Sequence, residues 1–161
     1  MFKGVQMRQS QRAVTDIFDI AEILKKSETI RIGINGPEYP YVVPVSFGFE
    51  LLDGKITIYF HGAKEGLKHD LIAQNNHVCV ESDFFKGYHQ IGEMITAEYE
   101  SVIGFGIAEI AEGEDAIHGL ELLLSHAKYS EYAAKACVAA GITRVYKVVL
   151  SSVTGKRRLV H

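Results

Sequence analysis

The residues best equipped for chemistry fall in one stretch, His61-Gly62-Ala63-Lys64-Glu65-Gly66-Leu67-Lys68. An apolar, β-branched and aromatic run, Ile56-Thr57-Ile58-Tyr59-Phe60, leads into it, and Asp53-Gly54 just upstream has the composition of a tight hairpin. Leu67, Leu71 and Ile72 then recur at helical spacing, with Asn75-Asn76 as a stop. Strand, glycine-bearing turn and helix in close succession suit a phosphate. The first helical amides lack partners and the helix dipole adds positive character, while Gly62 and Gly66 let the backbone approach closely and Lys64 and Lys68 add full charges. Lys68 on a first helical turn is unfavourable beside the dipole unless an anion is held there. His61 adds an imidazole that titrates near neutrality, either as a proton donor and phosphate neighbour or as a strand-end residue bonded to backbone. The stretch is neither a Walker loop nor a dinucleotide fingerprint, so a surface turn with solvated lysines is the competing account.

These residues need a frame. A chain of 161 residues, 47% of them hydrophobic, suits one compact domain with a single core. The net charge of −3 with interspersed signs gives no footprint for nucleic acid or an anionic membrane. No apolar run approaches the ~20 residues of a membrane span, and the start lacks a signal-peptide core, so a cytoplasmic protein is expected. Cys79 and Cys137 make neither a disulfide framework nor a zinc spacing and read as reduced packing residues. His118 and His126, eight apart on one helix pattern, do not form a metal pair, and no nucleophile elbow is present.

In chain order, residues 1–14 read as an N-terminal arm and 15–161 as one domain. Thr15 or Asp16 caps a helix with Ile17, Ile20, Ala21, Ile23 and Leu24 inward and Lys25-Lys26 at its end. Strands are expected over Thr29 to Ile34, Tyr41 to Phe49, Ile56 to Phe60, His77 to Asp83, Tyr99 to Ala111 and Thr143 to Val153. Pro44 cannot donate to a ladder, which marks the second of these as an edge, a bulge, or backbone facing a ligand. Phe84 to Thr96 reads as a long functional or mobile loop. Asp115 to His126 and Glu131 to Ala140 read as helices, and Thr154 to Arg158 as a basic turn. Three successive strands between Arg31 and Phe60 argue against a doubly wound α/β sheet; six strands with peripheral helices point to a mainly β, six-stranded antiparallel barrel.

Four ordered motifs sharpen this expectation: Tyr41-Val42-Val43-Pro44-Val45-Ser46-Phe47, Tyr59 to Lys68, Tyr99-Glu100-Ser101-Val102-Ile103-Gly104-Phe105-Gly106, and Thr154-Gly155-Lys156-Arg157. From about Met7 to Arg158 the chain resembles the pyridoxamine-phosphate-oxidase-like FMN-binding split barrels, and more narrowly their nitroimidazole-resistance (Nim-type) branch. The resemblance implies a homodimer with two FMN sites at the subunit interface, each built from both chains. Val43, Pro44, Val45 and Ser46 would lie along the flavin ring. His61, Gly62, Lys64 and Lys68 would hold the phosphate end, Ser101, Val102 and Ile103 would line the neighbouring wall, and Lys156 and Arg157 would approach from the last strand. Glu93 and Glu98 stand near places where the branch commonly carries a cysteine and a basic residue. The implied activity is transfer of electrons from NAD(P)H or another reductant to a small organic acceptor such as a nitroaromatic, with His61 as catalytic proton donor. The alternatives are a flavin- or haem-binding carrier or sensor without turnover, or a pyridoxamine-phosphate-oxidase-like enzyme.

Overall fold

The computed structural model describes residues 7–135, 141 and 143–160. Asp16 opens the first helix, α1 (Ile17–Lys26), its carboxylate accepting from the amides of Phe18 at 2.9 Å and Asp19 at 3.1 Å. Ile20, Ala21, Ile23 and Leu24 form its buried face. Eight strands follow the chain: β1 (Ala13–Val14), β2 (Ile30–Ile34), β3 (Tyr41–Val45), β4 (Phe47–Leu52), β5 (Lys55–Ala63), β6 (His77–Ile91), β7 (Met94–Ala111) and β8 (Thr143–Arg158). Two further helices are α2 (Leu67–Gln74) and α3 (Gly113–His126). The β4–β5 hairpin turns on Asp53 and Gly54, both at positive φ, 50° and 73°, as a two-residue primed turn requires.

All pairings are antiparallel, and the strands lie in the order β3-β2-β6-β7-β8-β5-β4, with β1 against β8. The two outermost strands of that order, β3 and β4, are consecutive in the chain with only Ser46 between them. In a flat sheet they would stand about six strand spacings of ~4.8 Å apart. One residue spans at most ~3.6 Å, so the sheet must curl until its edges meet. The result is a split barrel whose seam runs past Ser46.

The barrel interior carries Ile30, Ile32, Phe47, Ile58, Phe60, Val80, Val102, Tyr146 and Val148, all at or below 1% exposure, and α1 adds Ile20, Ile23 and Leu24. A second cluster, with Tyr59, Ala111, Ala116, Leu120 and Val145, lies between α3 and the outside of β5, β7 and β8. Tyr59 Oη donates toward Glu50 (3.2 Å) and Asp115 (3.3 Å), Lys147 bonds Asp115 at 2.6 Å, and His118 meets Glu50 at 2.9 Å, which fixes α3 on the barrel. Burial, then the Glu50 and Asp115 charges, hold the Tyr59 phenol well above its usual value, so it stays a donor.

Four expectations change. The described residues hold eight strands, not six: Ser46 breaks the Tyr41 to Phe49 run in two, and Ala13–Val14 adds a short strand whose Val14 is buried. The segment from Phe84 to Thr96 is no loop; β6 and β7 continue as a two-stranded ribbon, paired to Ile91↔Met94 around a bulge between Phe85 and Gly87. Thr154 to Arg158 is no turn, since it pairs with Ile103 to Tyr99 on one side and, at Gly155 and Lys156, with β1 on the other. The β5 strand runs on to Ala63, so His61 and Gly62 are strand residues and the turn begins at Lys64. Residues 136–140 of the helix expected over 131–140 lie outside the described residues, as does Cys137.

Candidate functional site

The β5–α2 junction brings Gly62 and Lys68 together. A Cβ on Gly62 would stand 2.7 Å from Lys68 Nζ, so the glycine makes the room in which the ammonium sits. Lys68 Nζ also lies 3.5 Å from the His61 carbonyl and 5.6 Å from the centroid of the Phe60 ring. Burial holds the Lys68 pKa below its ordinary value, and among the described residues the ammonium has no carboxylate partner. Gly66, at φ 121°, enters α2 without a side-chain cap, leaving first-turn amides open. Lys64 is exposed on the turn. This is a place that an anion would complete: a half-buried cation, a glycine cradle and a helix start.

Strand alternation puts His61 on the opposite face of β5 from Gly62, although it remains near Lys68. Its imidazole reaches solvent, but partial burial, and after it the Lys68 charge, push its pKa below the ordinary histidine value. The Gly62 face carries groups that the sequence alone did not single out. Arg144 is the cross-strand partner of Gly62, and Tyr146, two residues along, stacks on Phe60 with centroids 5.1 Å apart. His69 Nδ1 is 2.5 Å from Tyr146 Oη, and the Arg144 guanidinium contacts the same ring. His69, adjacent to Lys68, was visible in the sequence; Arg144 required the β5–β8 register.

Val43 and Val45 are half-buried and Pro44 and Ser46 exposed along the seam. Pro44 pairs only toward β2, opposite Arg31, so its missing N–H costs no ladder bond. Phe47 opposes Phe60, so continuing that register sets Ser46 beside His61. The seam and the junction therefore form one neighbourhood. The other expected residues lie elsewhere. Ser101 and Ile103 face outward on β7, whereas Val102, 1% exposed opposite Gly155, turns its side chain into the core and offers a ligand only backbone. Lys156 opposes Ser101, its ammonium 5.7 Å from the Tyr99 ring centroid. Arg157 turns to the other face and meets Asp19 at 3.5 Å. On β8, Val145 marks the level of His61 and Lys156 that of Ser101, a separation of eleven residues (156 − 145) or about 36 Å of strand. One chain thus holds these two groups of residues well apart.

The outer face of the sheet between them is apolar. Ile103, Ile107 and Val149 are 41%, 44% and 43% exposed, and a groove of about 710 Å³ runs past Cys79, Phe105, Ile107 and Val149. Burial, then Glu81, raises the Cys79 thiol pKa, so it stays protonated in this apolar wall.

A curled antiparallel sheet with an unladdered seam, and a lysine seated against a glycine beside it, define a split barrel. The chain belongs to the pyridoxamine 5'-phosphate oxidase family, whose profile matches residues 18–157. It is similar to the crystal structure of a candidate 5-nitroimidazole antibiotic resistance protein from Bacteroides thetaiotaomicron, at 27% identity over 89% of this chain and 85% of that one, with a TM-score of 0.76. The fold is shared with a flavocytochrome from Azotobacter vinelandii (19% identity, 96% and 73% covered, TM-score 0.76). It is shared also with a FAD- and haem-binding protein from Mycobacterium smegmatis (14% identity, 92% and 74% covered, TM-score 0.73). No curated protein matches the chain closely enough to count as a relative.

Proposed function

We propose that the protein binds FMN in a cleft completed by two copies of the chain and passes electrons from NAD(P)H or another reductant to a small organic acceptor, a nitroaromatic in particular. The observation that carries this is Lys68, a half-buried ammonium held against Gly62 and given no carboxylate by the described residues, where a phosphate group fits. Likeness to the candidate 5-nitroimidazole resistance protein supports the acceptor class. When bound, the flavin would supply the hydride and electron chemistry. The chain's own residues hold and orient. Lys68 and the open amides of α2 would take the phosphate end, and the seam backbone at Val43 to Ser46 would lie along the ring. The Ser101 and Lys156 half-site would be supplied by the second copy, because the two half-sites are about 36 Å of strand apart in one chain. His61 is mostly neutral at pH 7, so it donates a proton only as its pKa is raised by a neighbouring anion.

That depressed pKa favours a second reading, a flavin- or haem-binding carrier in the cytoplasm without turnover of its own. One experiment separates them. The ligand of the purified protein is identified by absorbance and mass spectrometry, and NAD(P)H oxidation is followed with a nitroimidazole acceptor. Bound FMN with acceptor-dependent oxidation supports the enzyme; bound cofactor without it supports the carrier; failure to bind any flavin overturns both flavin readings.

A further inference from the structure

Arg144 is a half-buried guanidinium for which the described residues supply no carboxylate. Asp70, on the facing helix, makes no ion pair with it, whereas Lys26, Arg31, Lys86, Lys147 and Arg157 all meet acids. It pairs across strands with Gly62, so it shares the face on which Lys68 Nζ occupies the space of the missing Cβ. Two cations therefore sit on one face with no carboxylate paired to either among the described residues, an arrangement disfavoured by mutual repulsion unless a ligand supplies the charge. Arg144 lies against the His69 ring, whose Nδ1 is taken by the Tyr146 hydroxyl at 2.5 Å. A guanidinium carries five donors in a planar fork, and an imidazole so engaged cannot satisfy them. Tyr146 is itself fixed by stacking on Phe60, so the His69–Tyr146 pair is a rigid back wall.

We infer that Arg144 and Lys68 together receive a phosphate monoester dianion, with Arg144 binding it through its fork and His69 and Tyr146 positioning the guanidinium. The inference deepens the flavin reading and rests on it for the identity of the ester, the phosphate of FMN rather than a free phosphate. It adds a ligand from β8 that the motifs around β5 and α2 do not contain. The phosphate then becomes the point at which FMN is told from riboflavin.

The test measures FMN and riboflavin affinity by fluorescence quenching for wild type, Arg144→Ala and Arg144→Lys, together with thermal stabilisation of the flavin-free proteins by inorganic phosphate. The expected result is an FMN affinity reduced about 10- to 100-fold in Arg144→Ala, riboflavin affinity unchanged, and a smaller loss in Arg144→Lys, which keeps the charge but not the fork. Phosphate should stabilise wild type and not Arg144→Ala. Equal loss of FMN and riboflavin, or loss of neither, overturns the role of Arg144 while leaving the flavin reading intact. Stabilisation by phosphate that needs Arg144 in a protein binding no flavin keeps the anion site and removes the flavin. Should Arg144→Ala fail to fold, Arg144→Lys carries the same comparison, and an unchanged FMN-to-riboflavin ratio in it, with unchanged phosphate response, overturns the inference.

Discussion

Gly62 and Lys68 occupy one another's space: the position of a Cβ on residue 62 lies 2.7 Å from Lys68 Nζ and 3.2 Å from Cε. The close approach is to the end of a flexible side chain, so an added methyl group displaces the ammonium and leaves the backbone alone. Gly62→Ala should keep the melting temperature within a degree or two yet weaken FMN binding by about 1 kcal/mol, part of the worth of a charged hydrogen bond. Lys68→Glu reverses the charge and should cost about 1 to 3 kcal/mol of FMN affinity. Titration of both variants with FMN checks this, and wild-type affinity in Lys68→Glu would remove Lys68 as the phosphate anchor.

Much of this frame was legible in the chain because it is set locally. Asp16 caps α1, Asp53-Gly54 makes a hairpin and Pro44 falls on an edge strand, each for reasons contained within a few residues. The misreadings have a common physical cause. From Lys86 to Glu98 the β6–β7 ribbon pairs only with itself, so with no sheet packed beside it the glycines at 87 and 92 read as loop. At the end of β8, Gly155-Lys156-Arg157 is held by ladders to β7 and β1, a support no side-chain pattern advertises. Ser46 breaks a strand without a glycine or proline of its own, because curling the sheet imposes the break. Arg144 meets Gly62 only through a register spanning 82 residues (144 − 62). Which face His61 takes depended on where β5 ends, and element ends are the least readable feature of a sequence.

Helix α3 sits directly on β4 at Gly48. A Cβ there would come within 2.4 Å of the Leu122 carbonyl carbon and the Leu123 nitrogen, backbone atoms that cannot step aside. Gly48→Ala should therefore lift α3, loosening the contacts of Tyr59 and His118 with Glu50, and destabilise the fold by about 1 to 3 kcal/mol. In a chain of this size that lowers the melting temperature by several degrees, on the order of 2 to 4 °C per kcal/mol. Calorimetry of the variant gives the answer, and an unchanged transition would show that α3 is not seated as described.

Assembly and cofactor binding are linked if each cleft takes one half-site from each of two chains. Ile107 and Val149 are cross-strand partners on the exposed outer face, and Ile107→Glu would place a charge at the centre of that apolar surface. The variant should be monomeric by sedimentation equilibrium at concentrations where wild type is dimeric, and FMN affinity should fall with it, since each equilibrium drives the other. A folded monomer that binds FMN as tightly as wild type does would contradict the two-chain cleft.

His61 supplies a pH dependence with a definite sign. Its folded-state pKa is depressed by burial and by Lys68, so the native state takes up a proton less readily than the unfolded chain does. The stability it contributes is full above the unfolded value of about 6.5 and is lost as pH falls through the lower folded value. Flavin-free wild type should lose melting temperature over that acid window, and His61→Gln should flatten the slope. A bound phosphate offsets the Lys68 charge and raises the His61 pKa, so FMN binding in the same window should be accompanied by proton uptake. If the protonated imidazole is the acid for a reduced acceptor, turnover per bound FMN rises as pH falls toward that pKa. His61→Ala should then lower this turnover by on the order of 100-fold while retaining much of the FMN affinity, because Lys68 and the α2 amides hold the phosphate. A supporting histidine gives the reverse pattern, loss of stability or occupancy with turnover per bound flavin intact. Equal normalised turnover in wild type and variant across the pH range would end the catalytic assignment.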